Sequence, residues 1–156
     1  MKGNQKIIDL LNRQLTLELT SMDQYLAHAK IYDDWGINKL HDKLIHEHQE
    51  ELEHASAIIE RILFLGGKPD TVSREPVHVG DNVKLMLEND LQAEKIVAES
   101  LRKIITVCER EHDYVTRDML IKLLDDTEMD HIYWLTQHLG LIDKIGLANY
   151  IQSQIA

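Results

Sequence analysis

The chain has 156 residues, of which 44% are hydrophobic and 28% charged, and its net charge is -10 at pH 7. This length predicts one domain, residues 1–156, and the lack of a basic patch excludes a typical nucleic-acid-binding protein. The single cysteine, Cys108, excludes an internal disulfide and is typical of a reducing compartment. No apolar run reaches the roughly 20 residues of a membrane span, and no signal peptide is visible. We expect a soluble cytoplasmic protein that binds neither nucleic acid nor membrane.

Apolar residues recur at spacings of three and four along most of the chain, which is the period of one helix face. The predicted helices span about residues 5–32, 38–65, 82–111, 114–138 and 142–152. Gly36 and Gly140 are predicted to end the first and fourth helices, and Asn38 is a potential N-cap of the second. Both prolines, Pro69 and Pro76, lie in residues 66–80, which show no helical period.

The lengths of the connections predict the topology. The breaks at residues 33–37 and 112–113 are short, so each flanking pair of helices is expected to form an antiparallel hairpin. Residues 66–80 are long enough to cross the whole length of a bundle. The predicted fold class is therefore all-α: a four-helix bundle with one long crossover between the second and third helices and a short fifth C-terminal helix.

Carboxylates interrupt the apolar stripe of each of the four long helices near its middle. In the fourth helix the predicted inward stripe runs Ile121, Leu124, Glu128, His131, Leu135 and His138. Burying several unpaired carboxylates is costly, and a bound cation removes that cost. One Glu from each of two helices and a Glu-x-x-His from each of the other two is the pattern of two-metal carboxylate sites in bundles, and these ligands suit iron or manganese. The predicted ligands are Glu18, Glu51, His54, Glu94, Glu128 and His131.

The Glu-x-x-His spacing alone is a weak signal, because it also occurs at His78 and His112. His78 follows Pro76 in the crossover, and His112 lies at the end of a helix, so neither can face the middle of the bundle. The remaining two motifs repeat. Glu18 precedes Glu51 by 33 residues, and Glu94 precedes Glu128 by 34. Each hairpin thus carries the same ligand set, which predicts a site with approximate twofold symmetry.

Several longer segments resemble the bacterioferritin family, and the resemblance covers nearly the whole chain. These segments are residues 1–3 (MKG), 33–36 (DDWG), 59–65 (IERILFL), 112–119 (HDYVTRDM) and 149–155 (NYIQSQI). The resemblance implies a ferritin-like bundle that assembles into a hollow 24-subunit shell. It also implies a ferroxidase that oxidises Fe(II) with O2 or H2O2, storage of Fe(III) as a mineral, and a ferredoxin partner for iron release.

Carried over to this sequence, the resemblance implies two iron ions per subunit. Glu18 and Glu94 would be terminal ligands, Glu51 and Glu128 would bridge the two irons, and His54 and His131 would each bind one.

Three further residues have two interpretations each. Tyr25 matches a position beside the iron centre in the family and is equally well explained as a core tyrosine with a satisfied hydroxyl. His46 and Glu50 match positions that bind an additional iron on the inner shell surface in some members. They share a helix face, but exposed polar surface is an alternative explanation for both.

Position 52 departs from the family pattern. Typical bacterioferritins have a methionine there, and two such residues from a subunit pair bind one haem b iron. Leu52 has no donor atom, so we expect no haem with two methionine ligands in a shell of this chain alone. A mixed shell with a methionine-bearing bacterioferritin subunit, in which this chain has a structural role, is the main alternative function. A ferritin-like oxidase acting on another substrate and a zinc or manganese bundle without redox turnover are further alternatives.

Overall fold

The computed structural model describes residues 3–155, and no strand occurs among them. The helices are α1 Gln5–Asp34, α2 Asn38–Phe64, α3 Val83–Arg110, α4 Tyr114–Asp126, α5 Tyr133–Ile145 and α6 Leu147–Ser153. One π-helical turn, Thr127–Ile132, joins α4 to α5, so that these elements form one continuous fourth helix. None of the helices in the described part of the chain is long and apolar enough to cross a membrane.

The predicted pair of hairpins is confirmed. A tight turn joins α1 to α2 and places Gly36 at φ 77°, a conformation that glycine adopts without a steric penalty. A second tight turn joins α3 to α4 and places His112 at φ 58°. Residues 65–82 carry the chain from α2 to α3, as the predicted long crossover requires. Ile37 rather than Asn38 precedes the first turn of α2, and no side chain caps that end.

A buried polar network attaches the crossover to the bundle. The backbone N–H of Gly80 donates to Nε2 of His28, which places the ring proton on Nδ1, where it is donated to Asp90 Oδ1 at 2.9 Å. Gln24 also donates to Asp90 Oδ1, and its carbonyl accepts from the backbone N–H of His78. Because burial without partners is costly for all these groups, the network fixes the crossover against α1 and α3.

Two apolar clusters occupy the two ends of the bundle, and a polar layer separates them. One cluster contains Leu15, Ala55 and Val97, and the other contains Tyr25, Leu44 and Leu87. The polar layer consists of the buried residues that lie between these two clusters along each helix. All four long helices contribute to this layer at the same height. The mid-helix interruption of the apolar stripes that the sequence predicts is therefore present in the fold.

The predicted stripe of the fourth helix is wrong in its first half. A π turn contains one residue more than an α turn and rotates the helix on one side of it relative to the other. Up to the first residue of the turn, the buried residues are each one position earlier than predicted: Leu120, Leu123 and Thr127 in place of Ile121, Leu124 and Glu128. His131 near the end of the turn and Leu135 after it are buried as predicted.

The predicted end of the fourth helix is also wrong. The helix continues through Gly140 to Ile145 and ends at Gly146, whose φ is 83°. A single glycine costs a helix interior only about 1 kcal/mol, so Gly140 does not enforce a break. The short terminal helix α6 follows, and the Tyr150 hydroxyl lies 2.6 Å from Nδ1 of His138, which holds α6 against α5.

Candidate metal centre

Five of the six predicted ligands converge in the polar layer. They belong to two overlapping groups of potential ligand atoms, each with all its atoms within 4.8 Å of one another. One group contains Glu18, Glu51 and His54, and the other contains Glu51, Glu94 and His131. All five side chains are buried. Glu51 belongs to both groups, which is the arrangement that a ligand shared between two metal ions requires.

Most of the polar atoms that face this space have no hydrogen-bond partner among residues 3–155. They are Glu18 Oε2, both carboxylate oxygens of Glu51, Glu94 Oε2, His54 Nδ1 and His131 Nδ1. Leaving a buried donor or acceptor unsatisfied typically costs about 1–3 kcal/mol, and more for a charged group. Three carboxylates and two imidazole nitrogens without partners form a donor set that fits divalent iron, manganese or zinc.

The ring of His54 presents one nitrogen to the centre and the other to a carboxylate. Its Nδ1 lies 3.8 Å from Glu18 Oε2 and 3.9 Å from Glu51 Oε2. Its Nε2 lies 3.3 Å from Asp126 Oδ2, at the end of α4. Such a carboxylate fixes the proton on the outer nitrogen and leaves the inner nitrogen free to bind a metal. Asp126 is not predictable from the helical period, because the period extrapolated from His131 does not bring it to the site.

The ring of His131 has the same arrangement. Its Nδ1 lies 3.2 Å from both Glu51 Oε1 and Glu94 Oε2, while Nε2 lies 2.5 Å from Glu47 Oε2 and 2.6 Å from Glu50 Oε2. Glu47 lies between Leu44 and Glu51 on the inward stripe of α2, and this inward position is the sequence signal that identifies it.

The buried charges shift one another's pKa values strongly. Burial raises the pKa of Glu18, but the neighbouring Glu51 carboxyl and His54 outweigh that effect and hold it at about 2. Burial and the Glu18 charge raise the pKa of Glu51 well above its usual 4.5. Burial opposes the charged form of His54 and His131, yet the surrounding carboxylates raise the pKa of both imidazoles above 6.5. Without a metal, protons therefore compensate part of the negative charge of the layer.

Tyr25 lies directly beside the centre. Its hydroxyl donates a hydrogen bond to Glu94 Oε1 at 2.9 Å, and its ring meets the edge of His131 at a centroid distance of 6.1 Å. Burial and the Glu94 charge raise the pKa of the phenol well above 10. The two interpretations of Tyr25 are thus compatible, because the residue is in the core, satisfied, and adjacent to the predicted ligands.

Glu128 is the predicted ligand that the structure does not bring to the centre. Its Oε1 lies 2.5 Å from Arg102 Nη2 on α3, and its side chain is 42% exposed. Thr127, which is fully buried, occupies the inward position of the fourth helix at this height. The π turn is the physical reason, since it advances the inward face by one residue.

A second acidic cluster lies next to His131 and reaches the surface. It consists of His46, Glu47 and Glu50, whose potential ligand atoms also lie within 4.8 Å of one another. His46 Nε2 lies 2.7 Å from Glu50 Oε1, and the His46 side chain is 62% exposed. Lys43 Nζ lies 2.7 Å from Glu47 Oε1 and compensates part of the charge. The predicted pairing of His46 with Glu50 on one helix face is therefore present.

Leu52 lies on the opposite face of α2 from the predicted ligands. It is 42% exposed, whereas its neighbour Glu51 is fully buried. Its side chain is therefore available to a surface interaction and takes no part in the polar layer.

Comparisons with known proteins identify related chains. Residues 8–145 match the family model described as a ferritin-like domain. A bacterial ferritin of Synechocystis is 49% identical over 156 residues, with full coverage of both chains. A bacterial ferritin of Pseudomonas aeruginosa is 49% identical, covering 99% of this chain and 100% of the relative. A bacterioferritin of Brucella melitensis is 38% identical, covering 100% of this chain and 96% of the relative.

Proposed function

Because the chain belongs to the family of ferritin-like domains, we propose that it stores iron and oxidises Fe(II) to Fe(III) at a two-metal centre in the polar layer. The five converging side chains, Glu18, Glu51, His54, Glu94 and His131, are the ligands of this centre. The names of the bacterial ferritin and bacterioferritin relatives support iron as the substrate. One observation supports these ligands above all: within residues 3–155, their buried ligand atoms make no hydrogen bond.

Each of these residues has a distinct role in binding the metal ions. Glu51 contributes to both ligand groups and therefore holds the two Fe(II) ions close together, while Glu18 and Glu94 each complete one group. His54 and His131 bind through Nδ1, because their Nε2 atoms face Asp126 and the Glu47–Glu50 pair. Each Fe(II) gives one electron to O2 or H2O2. Two Fe(II) and two protons reduce O2 to one H2O2, or reduce one H2O2 to two waters, and two Fe(III) result in either case.

The acidic cluster of His46, Glu47 and Glu50 provides a route between the centre and the surface. Glu50 contacts His131 at one end and the exposed His46 at the other, so a cation can pass between carboxylates without entering apolar surroundings. We assign to this cluster the transfer of iron to the inner surface of a shell. The shell itself is proposed to contain 24 copies of this 18.1 kDa chain, and mass spectrometry of the intact assembly tests this number.

The second candidate function is a structural subunit in a shell shared with a haem-binding bacterioferritin. Leu52, which lacks a donor atom, favours it. The converging set of buried ligands favours an active subunit instead, since a passive one gains nothing from unpaired buried carboxylates. Mass spectrometry of the shell from its native cells distinguishes one chain type from two.

Stopped-flow absorbance after Fe(II) addition tests the catalytic proposal. Glu18→Ala and His131→Ala each remove a ligand and are expected to abolish the fast oxidation phase. Glu53→Ala is the matched control, because Glu53 is an exposed glutamate two positions from Glu51. An unchanged fast phase in both ligand variants would contradict the proposed centre. Anomalous scattering at the iron and zinc edges separates an iron centre from a zinc bundle.

A further inference from the structure

Among residues 3–155, Lys43 is the only lysine or arginine whose charge pairs with a buried carboxylate. Its Nζ lies 2.7 Å from Glu47 Oε1, and the Glu47 side chain is only 3% exposed. The other oxygen of Glu47 contacts Nε2 of His131. Within the same residues, neither oxygen accepts a hydrogen bond of good geometry. Glu47 therefore lies between two positively polarised groups, and Lys43 is the one that faces away from the metal centre.

An aromatic stack holds the Lys43 ammonium against the bundle. Its Nζ lies 5.2 Å from the centre of the Trp134 ring, which is within the range of a cation–π contact. Trp134 stacks on His138 at a centroid distance of 3.9 Å, and His138 in turn contacts the Tyr150 hydroxyl of α6. The Lys43 side chain is 25% exposed as a result, so its charge has a defined position beside Glu47.

This positive charge borders the acidic cluster of His46, Glu47 and Glu50. Glu47 is the buried member of the cluster, whereas Glu50 and His46 are 20% and 62% exposed. Two carboxylates and an imidazole at this spacing are suitable ligands for a divalent transition-metal ion. An ammonium 2.7 Å from one of these carboxylates repels such an ion, and partial burial limits the screening by salt. The cluster should therefore hold a divalent ion only weakly.

We propose that Lys43 keeps the acidic cluster from retaining a divalent ion, so that the cluster passes iron on instead of storing it. This inference rests on the transfer role proposed for the cluster and adds the residue that limits how long an ion stays there. A route for ions needs binding that permits entry and is weak enough to permit exit. Lys43 provides the second condition through Glu47 and is not a ligand itself, because an ammonium has no lone pair.

Zinc calorimetry on the metal-free assembly tests this inference without any redox step. Lys43→Met retains most of the side-chain length and removes the charge. It is expected to add a third zinc ion per chain, or to tighten a weakly bound third ion at least tenfold. Lys43→Arg retains the charge and should bind zinc as the wild-type chain does. Lys39→Met is the matched control, because Lys39 is an exposed lysine one turn earlier on α2.

Two further variants test where the additional ion binds and what holds Lys43. The double variant Lys43→Met/Glu47→Gln should lose the additional ion, because the amide removes the charge of the buried carboxylate. Trp134→Leu should tighten the third ion by about 2- to 5-fold, the size of a cation–π contact, because the ammonium is then less firmly held beside Glu47. An additional ion that persists in the double variant would contradict the assignment to this cluster.

Recovery of the fast oxidation phase between two additions of Fe(II) measures passage of iron through the cluster. Recovery should be slower in Lys43→Met than in the wild-type chain and unchanged in Lys39→Met, because an ion that is retained in the cluster blocks the next one. A third zinc ion together with unchanged recovery would contradict the inference, since the cluster would then lie off the route.

The outcomes separate this inference from the proposed function. A Lys43→Met chain with the zinc stoichiometry and affinities of the wild-type chain contradicts the role of Lys43 and leaves the two-metal centre unaffected. A wild-type chain that binds no zinc contradicts the two-metal centre. An ion gained by Lys43→Met and lost again with Glu47→Gln would support the role of Lys43 even in that case.

Discussion

Asp126 Oδ2 lies 3.3 Å from Nε2 of His54, so a carboxylate at the end of α4 orients an imidazole on α2. The contact joins the two hairpins across the polar layer. It also selects the nitrogen of His54 that faces Glu18 and Glu51. Asp126 therefore acts on the centre through His54, without belonging to either group of converging ligand atoms.

Asp126→Ala is expected to lower the affinity for one of the two metal ions by about 10- to 100-fold, the usual effect of removing the carboxylate behind a ligating histidine. Without this carboxylate, the His54 ring can rotate, and its proton can move from Nε2 to Nδ1. Zinc calorimetry on the metal-free assembly measures the loss. Asp125→Ala changes the exposed neighbour and should have no effect, whereas Asp126→Asn retains an acceptor oxygen and should recover part of the affinity. Equal affinities for the Asp125 and Asp126 variants would disprove the orienting role.

Glu51→Gln is expected to separate stability from metal binding. Glu51 is fully buried and has neither carboxylate oxygen hydrogen-bonded, and its burial next to Glu18 raises its pKa. A neutral amide of the same shape removes the charge repulsion, so the free energy of unfolding of the metal-free chain should rise at pH 8 by about 1 kcal/mol or more. Metal binding should be lost, because Glu51 belongs to both ligand groups. Denaturant unfolding with and without zinc measures both effects.

The control for this substitution is Glu53→Gln, which changes an exposed glutamate on the same helix and should alter stability by less than about 0.5 kcal/mol. A Glu51→Gln chain that is less stable than wild type without metal would show that the charge of Glu51 is well compensated within the chain.

The stability of the metal-free chain should fall on both sides of a mildly acidic optimum. Folding raises the pKa of His54 and His131 above 6.5, so the stability they contribute is complete below pH 6.5 and is lost as pH rises through their folded-state pKa. The raised pKa of Glu51 acts in the same direction from pH 4.5 upward. The pKa of Glu18 is lowered to about 2, so its contribution is present above pH 4.5 and is lost toward pH 2.

Denaturant midpoints of the metal-free chain between pH 3 and 9, at one protein concentration, measure this dependence. Bound metal should reverse the alkaline limb, because metal binding displaces protons from both imidazoles and strengthens as pH rises. A metal-free midpoint that stays constant from pH 6.5 to 9 would be inconsistent with the raised pKa values of the histidines.

Leu52→Met is expected to introduce a haem ligand into a shell of this chain. Leu52 is 42% exposed on the face of α2 that points away from the metal centre, so the substitution leaves the predicted iron ligands in place. After reconstitution with haem b, the variant should show a low-spin absorbance spectrum with methionine ligation, and the wild-type chain should not. Leu63→Met, at another exposed leucine of α2, is the control. The same spectrum in the wild-type chain would refute the haem prediction made from position 52.

Sequence periodicity predicted which side chains face the buried polar layer wherever the helices are regular. Glu18, Glu51 and Glu94 lie on uninterrupted α-helices, so the spacing of apolar residues on either side determines which way each side chain faces. His54 follows Glu51 by three residues in the same helix and shares its face. The two hairpins and the crossover were predictable for a related reason, because connection length limits which helices can be neighbours.

The fourth helix shows what periodicity could not determine. Whether a helix takes up one additional residue in a π turn depends on how its two halves pack, and side-chain spacing alone cannot report it. The positions of Thr127, Asp126 and Glu128 therefore follow from the tertiary structure, as does the approach of Glu47 to His131 from another helix. The sequence by itself determined that a buried layer of carboxylates and histidines crosses the bundle. Packing of the helices decided which carboxylate of the fourth helix faces that layer, because one residue of the π turn rotates the inward face from Glu128 to Thr127.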